Sequence, residues 1–280
     1  VNFQLKKIAR FFGRTIGKRR AENLIVFLQK CTDANILKLA LNHYGILKYE
    51  DMTISGEKFV LEEIVKTCTE SDDVLIDVGA NVGEYSRALL SLFPDSRILS
   101  FEPNPITFQD LKENVDTEVY NLAISTKIGQ LEFYTSEEQV RSTQASFARE
   151  SIPKDETVKK ILVESMRLED IFVEKEISKV GLLKIDTEGF DLEVVKSCGE
   201  SIGTIKFIQF EFNEKYVYTR TFLKDFHDAL SQTHGLFRID SDRLHDIQDY
   251  LAVHEIFRYQ NILGIRKDLI PRALREIKVQ

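Results

Sequence analysis

The segment Asp77-Val78-Gly79-Ala80-Asn81-Val82-Gly83 sets a carboxylate two residues before a glycine and closes on a second glycine. The first glycine lets the backbone turn tightly and come close to a ligand. The second opens a helix whose first N–H groups have no partner inside it. Glu102 lies 23 residues beyond Gly79, at the end of the next apolar run. A carboxylate there can accept both hydroxyls of a ribose. Two further carboxylates, Asp186 and Glu188, follow the apolar run Val180–Ile185, and Glu211 and Asn213 end the run after that. Such groups suit the positioning or deprotonation of a weakly acidic hydroxyl.

These residues are positioned by alternating strand and helix. Short apolar runs at 73–78, 97–101, 180–186 and 205–212 are the pattern of buried parallel strands. A helix from about Gly83 to Phe93, stopped by Pro94, another through Phe108, Leu111 and Val115, and others at 190–198 and 222–230 fall between and after them. A third strand begins at Val119-Tyr120, with Leu122 and Ile124 beyond it. The last two strands are expected around Phe237–Ile239 and Gln260–Ile265, with a polar loop, 240–255, between them. Residues 129–166 add strands at 131–134 and 161–163 around a polar loop, 137–151. That repetition specifies a doubly wound α/β sheet, which binds ligands at the carboxyl ends of its strands. Upstream, Val60, Leu61, Ile64, Val65 and Cys68 form one helical stripe, and Thr32 and Asp33 offer caps for a helix at Ile36–Leu41.

An adenosine ligand fits the first two strand ends. A dinucleotide would call for GxGxxG, which brings pyrophosphate onto the helix terminus; here the spacing is GxxxG, and Asp77 disfavours phosphate. S-adenosylmethionine, with an ammonium group and no phosphate, suits it better. Joined to Phe101-Glu102-Pro103-Asn104 and Lys184-Ile185-Asp186-Thr187-Glu188-Gly189, the glycine turn resembles the FkbM family of S-adenosylmethionine-dependent methyltransferases, from about residue 73 to 213. Asn121-Leu122-Ala123-Ile124-Ser125 resembles the family's third-strand end, where the adenine should rest.

The resemblance implies a class I methyltransferase (Rossmann-like) α/β fold, with a seven-stranded, mostly parallel sheet, helices on both faces and a late antiparallel strand. It implies O-methylation of a hydroxyl on a sugar, glycan or natural-product acceptor. The cofactor residues it points to are Asp77, Val78, Gly79, Ala80, Asn81, Gly83, Glu84, Tyr85, Glu102, Pro103, Asn104, Asn121, Ala123 and Asp186. The catalytic ones are Asp186, Glu188 and Glu211. Where many relatives have a histidine, this chain has Asn213, so the base is sought among the carboxylates. Asp186, Glu211 and Asn213 also offer three oxygens to Mg²⁺. The Glu-Phe-Asn spacing differs from the adjacent ligands of metal-using relatives, and a metal-independent reaction is expected. The other readings are an NAD-linked oxidoreductase or epimerase on a similar sheet, and a non-catalytic module that keeps the cofactor fold.

Composition agrees with a globular enzyme. The chain has 280 residues, 43% hydrophobic, with 13 Gly and 5 Pro, which rules out collagen-like and Pro/Gly-rich disordered classes. The longest apolar run, Leu24–Leu28, falls far short of the ~18 residues of a membrane span. Residues 1–20 hold seven basic and no acidic residues, interleaved with Phe3, Ile8, Phe11, Phe12 and Ile16. A terminal helix packed on the domain is expected there, with a weak contact to an anionic membrane surface as the alternative. The rest of the chain is acidic and would repel nucleic acid. Lys6–Arg20 is too charged for a secretory signal, so a cytoplasmic location is expected, with Cys31, Cys68 and Cys198 as buried thiols. The expected organisation is a helical extension over 1–70, a methyltransferase domain over 71–270 and a tail over 271–280. Oligomeric state is not legible. Arg141, Gln144 and Ser146, His245-Asp246, His254-Glu255, and Tyr216, Tyr218 and Arg220 are candidates for the acceptor wall.

Overall fold

The computed structural model describes residues 17–136 and 158–280. The chain divides into two compact units, Val1–His43 and Tyr44–Gln280. The first contains helices Lys18–Thr32 (α1) and Ile36–His43 (α2). Five consecutive apolar residues, Leu24–Leu28, cover every side of α1 at about 100° per residue, and all are half exposed. Asn35, rather than Thr32 or Asp33, caps α2: its side chain accepts from Lys38 N at 2.9 Å. Asp33 instead takes a left-handed φ of 52° that ends α1. Cys31 is exposed on this polar turn of α1, against expectation, whereas Cys68 and Cys198 are buried. Most of the basic segment lies outside the described residues. Among the described residues, no helix is long and apolar enough to cross a membrane.

The second unit begins with a helix (α3) made of Glu57–Phe59, a π-helical stretch Val60–Val65, and Lys66–Cys68. There follow β1 (Val74–Val78), α4 (Glu84–Leu92), β2 (Ile98–Phe101), α5 (Pro105–Asn114), β3 (Glu118–Tyr120), β4 (Ala123–Ile124), β5 (Gly129–Ser136), β6 (Val158–Met166) and α6 (Leu168–Glu174). Then come β7 (Val180–Ile185), α7 (Asp191–Ser197), β8 (Ile205–Phe212), α8 (Tyr216–Thr219), α9 (Leu223–Leu230), β9 (His234–Asp240), β10 (Arg243–Asp246), β11 (Gln260–Arg266) and α10 (Ile270–Ala273).

Among the described residues the main sheet has eight strands, ordered β10-β9-β11-β8-β7-β1-β2-β3. Strands β3, β2, β1, β7 and β8 are parallel, and β11 runs antiparallel between β8 and β9. Every residue of β1 and β7 is buried, because helices cover both faces. On one face Ile76, Val78, Ile185 and Phe210 pack against Val194, Phe226 and Leu230 of α7 and α9. On the other, Leu75, Leu182, Phe207 and Leu263 pack against Val60, Leu61, Ile64 and Leu89 of α3 and α4.

Three features depart from the expected pattern. The eighth strand, β10, forms a hairpin on β9 inside a stretch expected to be a polar loop; its Leu244 pairs opposite Ile239 and drops into the core. A four-residue strand ending in charges is a common way to finish a sheet edge. Residues 123–124 leave the main sheet for a three-stranded one, β4-β6-β5, built on Ala123, Phe133 and Val163. The helix α6, which no sequence signal had marked, buries Leu168, Ile171 and Phe172 before β7.

Beneath the sheet, Lys206 Nζ lies 2.7 Å from Asp73 Oδ2 and also donates to the Cys68 carbonyl at 3.1 Å. Both side chains are buried. Removing one partner strands the other charge away from water. Asp73→Ala should therefore cost about 3 kcal/mol or more in urea unfolding, while Lys206→Met in the same background should recover much of the loss.

Candidate active site

The tips of β1 and β7 meet backbone to backbone. Asp186 N donates to Val78 O at 2.9 Å, and Gly79 then turns with φ 82°. A Cβ at Gly79 would lie 1.9 Å from the Asp186 carbonyl oxygen. The glycine is required there by the neighbouring strand before any ligand arrives. Gly79 and Ala80 both donate to Phe101 O, and Asn81, itself at φ 50°, donates to Glu102 Oε2 at 2.9 Å. Gly83 closes the turn onto Ala80 O at φ 88°, where a Cβ would strike Val115.

Glu102 is tied into this scaffold at both oxygens, since Oε1 accepts from Asn104 N at 2.8 Å. Asn104 in turn caps α5, accepting from Ile106 N ahead of Pro105. Asn121 donates its side-chain amide to the carbonyls of Glu102 and Pro103. The expected ribose and adenine residues thus shape the end of β2. Val78 sits in the core and Ala123 in the small second sheet.

A cleft of about 280 Å³ opens at these strand ends, lined by Met52, Glu57, Asp77, Gly79, Ala80, Asn81, Val82, Glu84, Tyr85, Lys184 and Asp186. Seven of the expected cofactor residues are in that lining. Asp77 is buried and accepts from Ser86 Oγ at 2.6 Å, in a chain continuing through Ser100 to Thr117. Four lining residues, Met52, Glu57, Val82 and Lys184, were not among the expected cofactor residues. Met52 and Glu57 come from a stretch upstream of every motif, with no local signal. Lys184 had one: a charge inside an apolar strand, on the same face as Asp186 by the period of two.

Above the cleft the catalytic candidates converge. Ile185 pairs with Phe210, so Asp186 and Glu211 extend side by side from β7 and β8. Glu188 takes φ 56° and pairs with Lys215 Nζ at 2.6 Å. Asn213 donates its amide to Glu211, and its own oxygen accepts from Lys215 N. That oxygen is therefore turned away from Glu211. Among the described residues no three His, Cys, Asp or Glu side chains are arranged to hold a metal ion.

Burial and mutual repulsion push these acids upward. Burial raises Asp77 to about 6 and Glu102 to about 7. Burial, then Asp186, raises Glu188 to about 7 and Asp191 to about 6. Glu211 is raised well above the carboxylate range by burial, Asp186 and Glu188.

Other candidates are placed elsewhere. Tyr216 is in the core, stacked on Phe212. Tyr218 is exposed, and Arg220 ends α8 in a left-handed conformation. His245 is buried on β10 beside Asp240 and the Tyr44 ring, and Asp246 caps a turn by accepting from Gln248 N. Glu255 accepts from Leu223 N and Lys224 N, capping α9, and His254 accepts from Leu251 N. These residues read as wall candidates because their loops border the carboxyl edge; packing turns Tyr216 and His245 inward, Asp246 and Glu255 accept from backbone N–H groups, and Tyr218 faces solvent. Arg141, Gln144 and Ser146 lie outside the described residues.

A mostly parallel sheet with the late strand β11 antiparallel between β8 and β9, and a glycine turn with acids at its carboxyl edge, define a class I methyltransferase (Rossmann-like) fold. The chain belongs to the FkbM methyltransferase family, whose domain matches residues 77–239. It is 26% identical over 172 residues to the 2-O-methyltransferase NoeI of Sinorhizobium fredii, covering 57% of this chain and 71% of that protein. It is 29% identical over 170 residues to the hexuronic acid methyltransferase AglP of Haloferax volcanii, covering 57% of this chain and 64% of that protein. Among solved structures, an FkbM methyltransferase from Methylobacillus flagellatus aligns at a TM-score of 0.42 and 14% identity, over 81% of this chain and 57% of that one.

Raised acids give the ligand-free protein a defined pH response. Each such group favours the fold below its unfolded value and loses that contribution as pH rises through the folded value. Asp77, Glu102, Glu188 and Asp191 together should lower the melting temperature between about pH 4 and pH 7. Burial draws His234 down to about 4 and also lowers His254, which opposes the four acids without cancelling them. A Glu102→Gln variant should show a flatter profile in thermal melts. Gly79→Val should melt far below wild type at every pH, because the valine meets the Asp186 carbonyl.

Proposed function

We propose that the protein is an S-adenosylmethionine-dependent O-methyltransferase acting on a hydroxyl of a sugar, glycan or natural-product acceptor. The observation that carries this reading is the charge of the cleft. Among the described residues, four acids, Glu57, Asp77, Glu84 and Asp186, line it with one cation, Lys184, which is already paired with two of them. Such a lining repels pyrophosphate and suits a ligand with a net positive charge. The acceptor class is supported by the activities of the two relatives, one a 2-O-methyltransferase and one a hexuronic acid methyltransferase.

When bound, the cofactor supplies an electrophilic methyl group on a positively charged sulfur. The residues of this chain then have three tasks. Asp77 and Asp186 face the ammonium group from neighbouring strand ends. Glu102, held by two backbone N–H bonds, still has a free lone-pair direction on each oxygen for the ribose hydroxyls. Glu211 takes up the acceptor's proton. Glu211, whose affinity for protons is raised by burial and then by Asp186 and Glu188, is once ionised a stronger base than an ordinary carboxylate. Glu188, anchored by Lys215, lies beside it and orients the acceptor. Since Asn213 points its oxygen away from Glu211, the reaction is proposed to need no metal.

The test is direct. S-adenosylmethionine and S-adenosylhomocysteine should each raise the melting temperature, and NADH should not. A mass-shift screen over glycan and natural-product hydroxyls should find a product 14 Da heavier, the increment of one methylation. Glu211→Ala should cut turnover by ~100-fold with little loss of cofactor affinity, whereas Asp186→Ala should lose both. EDTA should leave turnover unchanged. Stabilisation by NADH alone would overturn the cofactor, and turnover lost to EDTA and restored by Mg²⁺ would overturn the metal-free route.

A further inference from the structure

We propose that the Glu57–Lys184 ion pair is the positioning element of the cofactor site. In this arrangement Lys184 sets a fixed positive charge beside Asp77 and Asp186, the two carboxyl groups that face the cofactor's ammonium group, and Glu57 closes on that charge from α3. The proposal rests on the reading of the cleft as the S-adenosylmethionine site and adds a residue from outside the segment, 77–239, that the family domain covers.

Lys184 is 3% exposed, on a strand otherwise made of Val, Gly, Leu and Ile. Its Nζ lies 3.5 Å from Asp186 Oδ2, 3.7 Å from Glu57 Oε1 and 5.4 Å above the Tyr85 ring. In the sheet register it sits directly beside Asp77 on one side and Gln209 on the other. All three side chains therefore point to the same face, beneath α3. Glu57, the first residue of α3, closes the arrangement from above. It accepts from Gln209 Nε2 at 2.9 Å and from Ser55 Oγ at 3.0 Å, and Gln209 in turn accepts from the Tyr85 hydroxyl at 3.2 Å. A buried lysine flanked by three acids is not needed to fill space, because Leu75, Leu182 and Phe207, two positions back along the same face, already pack against α3. It supplies a fixed positive charge where two cofactor-facing carboxylates would otherwise repel each other. Burial opposes its charge, but Asp186 and Glu57 hold it firmly protonated.

The groups that face Asp77 are Ser86 and Tyr85 from α4, Ser100 and Glu102 from β2, Lys184 and Asp186 from β7, and Glu57 from α3. Within this set Lys184 favours the carboxylate form of Asp77 and Glu57 disfavours it. The two variants should therefore act with opposite sign, which a purely structural role would not produce.

The experiment is calorimetric titration of S-adenosylmethionine into the full chain from about pH 5 to pH 8, for wild type, Lys184→Met and Glu57→Gln. Wild-type affinity should fall on the acid side as Asp77 takes up a proton. In Lys184→Met that fall should move up by about 1 pH unit, with cofactor affinity at neutral pH reduced at least ~10-fold. In Glu57→Gln it should move to lower pH. The acceptor KM of both variants should stay at the wild-type value. Should Lys184→Met fail to fold, the direction of the Glu57→Gln shift decides the matter by itself. Shifts in the same direction, or an unmoved Glu57→Gln profile, would overturn the proposal while leaving the cofactor assignment intact. A wild-type chain that binds no S-adenosylmethionine at any pH would overturn that assignment and this proposal with it.

Discussion

The contact on which the rest of the site depends is the meeting of the β1 and β7 tips. Gly79 passes beneath the Asp186 carbonyl with no room for a side chain. Because the strands touch there, Asp77, Lys184 and Asp186 are neighbours, and the turn Gly79–Gly83 must bend toward β2, where Glu102 receives it. One steric constraint thus places the turn, the acids and the opening of α4. Changes at the edges of the sheet, such as the added strand β10, leave that junction untouched.

The second organising force is electrostatic. Carboxylates from β1, β2, β7 and β8 are gathered at one end of a sheet whose body is apolar. Burial raises the pKa of Asp77, Glu102 and Glu211, and acidic neighbours raise each further. Lys184 and Lys215 offset part of that repulsion, and the surplus is what a cationic ligand would relieve. Acids perturbed in this way cluster at functional sites.

Several residues that could do chemistry by type are used instead to build walls. Glu255 caps α9, and Tyr216 joins the aromatic stack with Phe212 and Phe226. Sequence position brought them to the carboxyl edge correctly, yet whether a side chain there faces the cleft or a helix terminus depends on packing from distant segments. His245 shows the same limit: a loop histidine in the sequence, it became a strand residue because Leu244 beside it had a core to enter.

What the sequence by itself determined was local and periodic. The apolar runs specify buried strands, the glycine turn specifies a close backbone approach, and the spacing of Asp77, Glu102 and Asp186 specifies adjacent strand ends in a doubly wound sheet. These follow because strand period, helix stops and turn chemistry act over a few residues. What only the tertiary structure decided was which distant groups share a space. Glu57 stands 20 positions before the first motif and reads as part of a helix, and nothing near it says that it will meet Lys184. Lys184 reads as an oddity in an apolar strand until the register sets it beside Asp77 and Gln209. Non-local pairings of this kind arise when helix α3 packs its apolar stripe on the sheet. That packing, which depends on volume and shape across the whole core, brings the buried charges into contact.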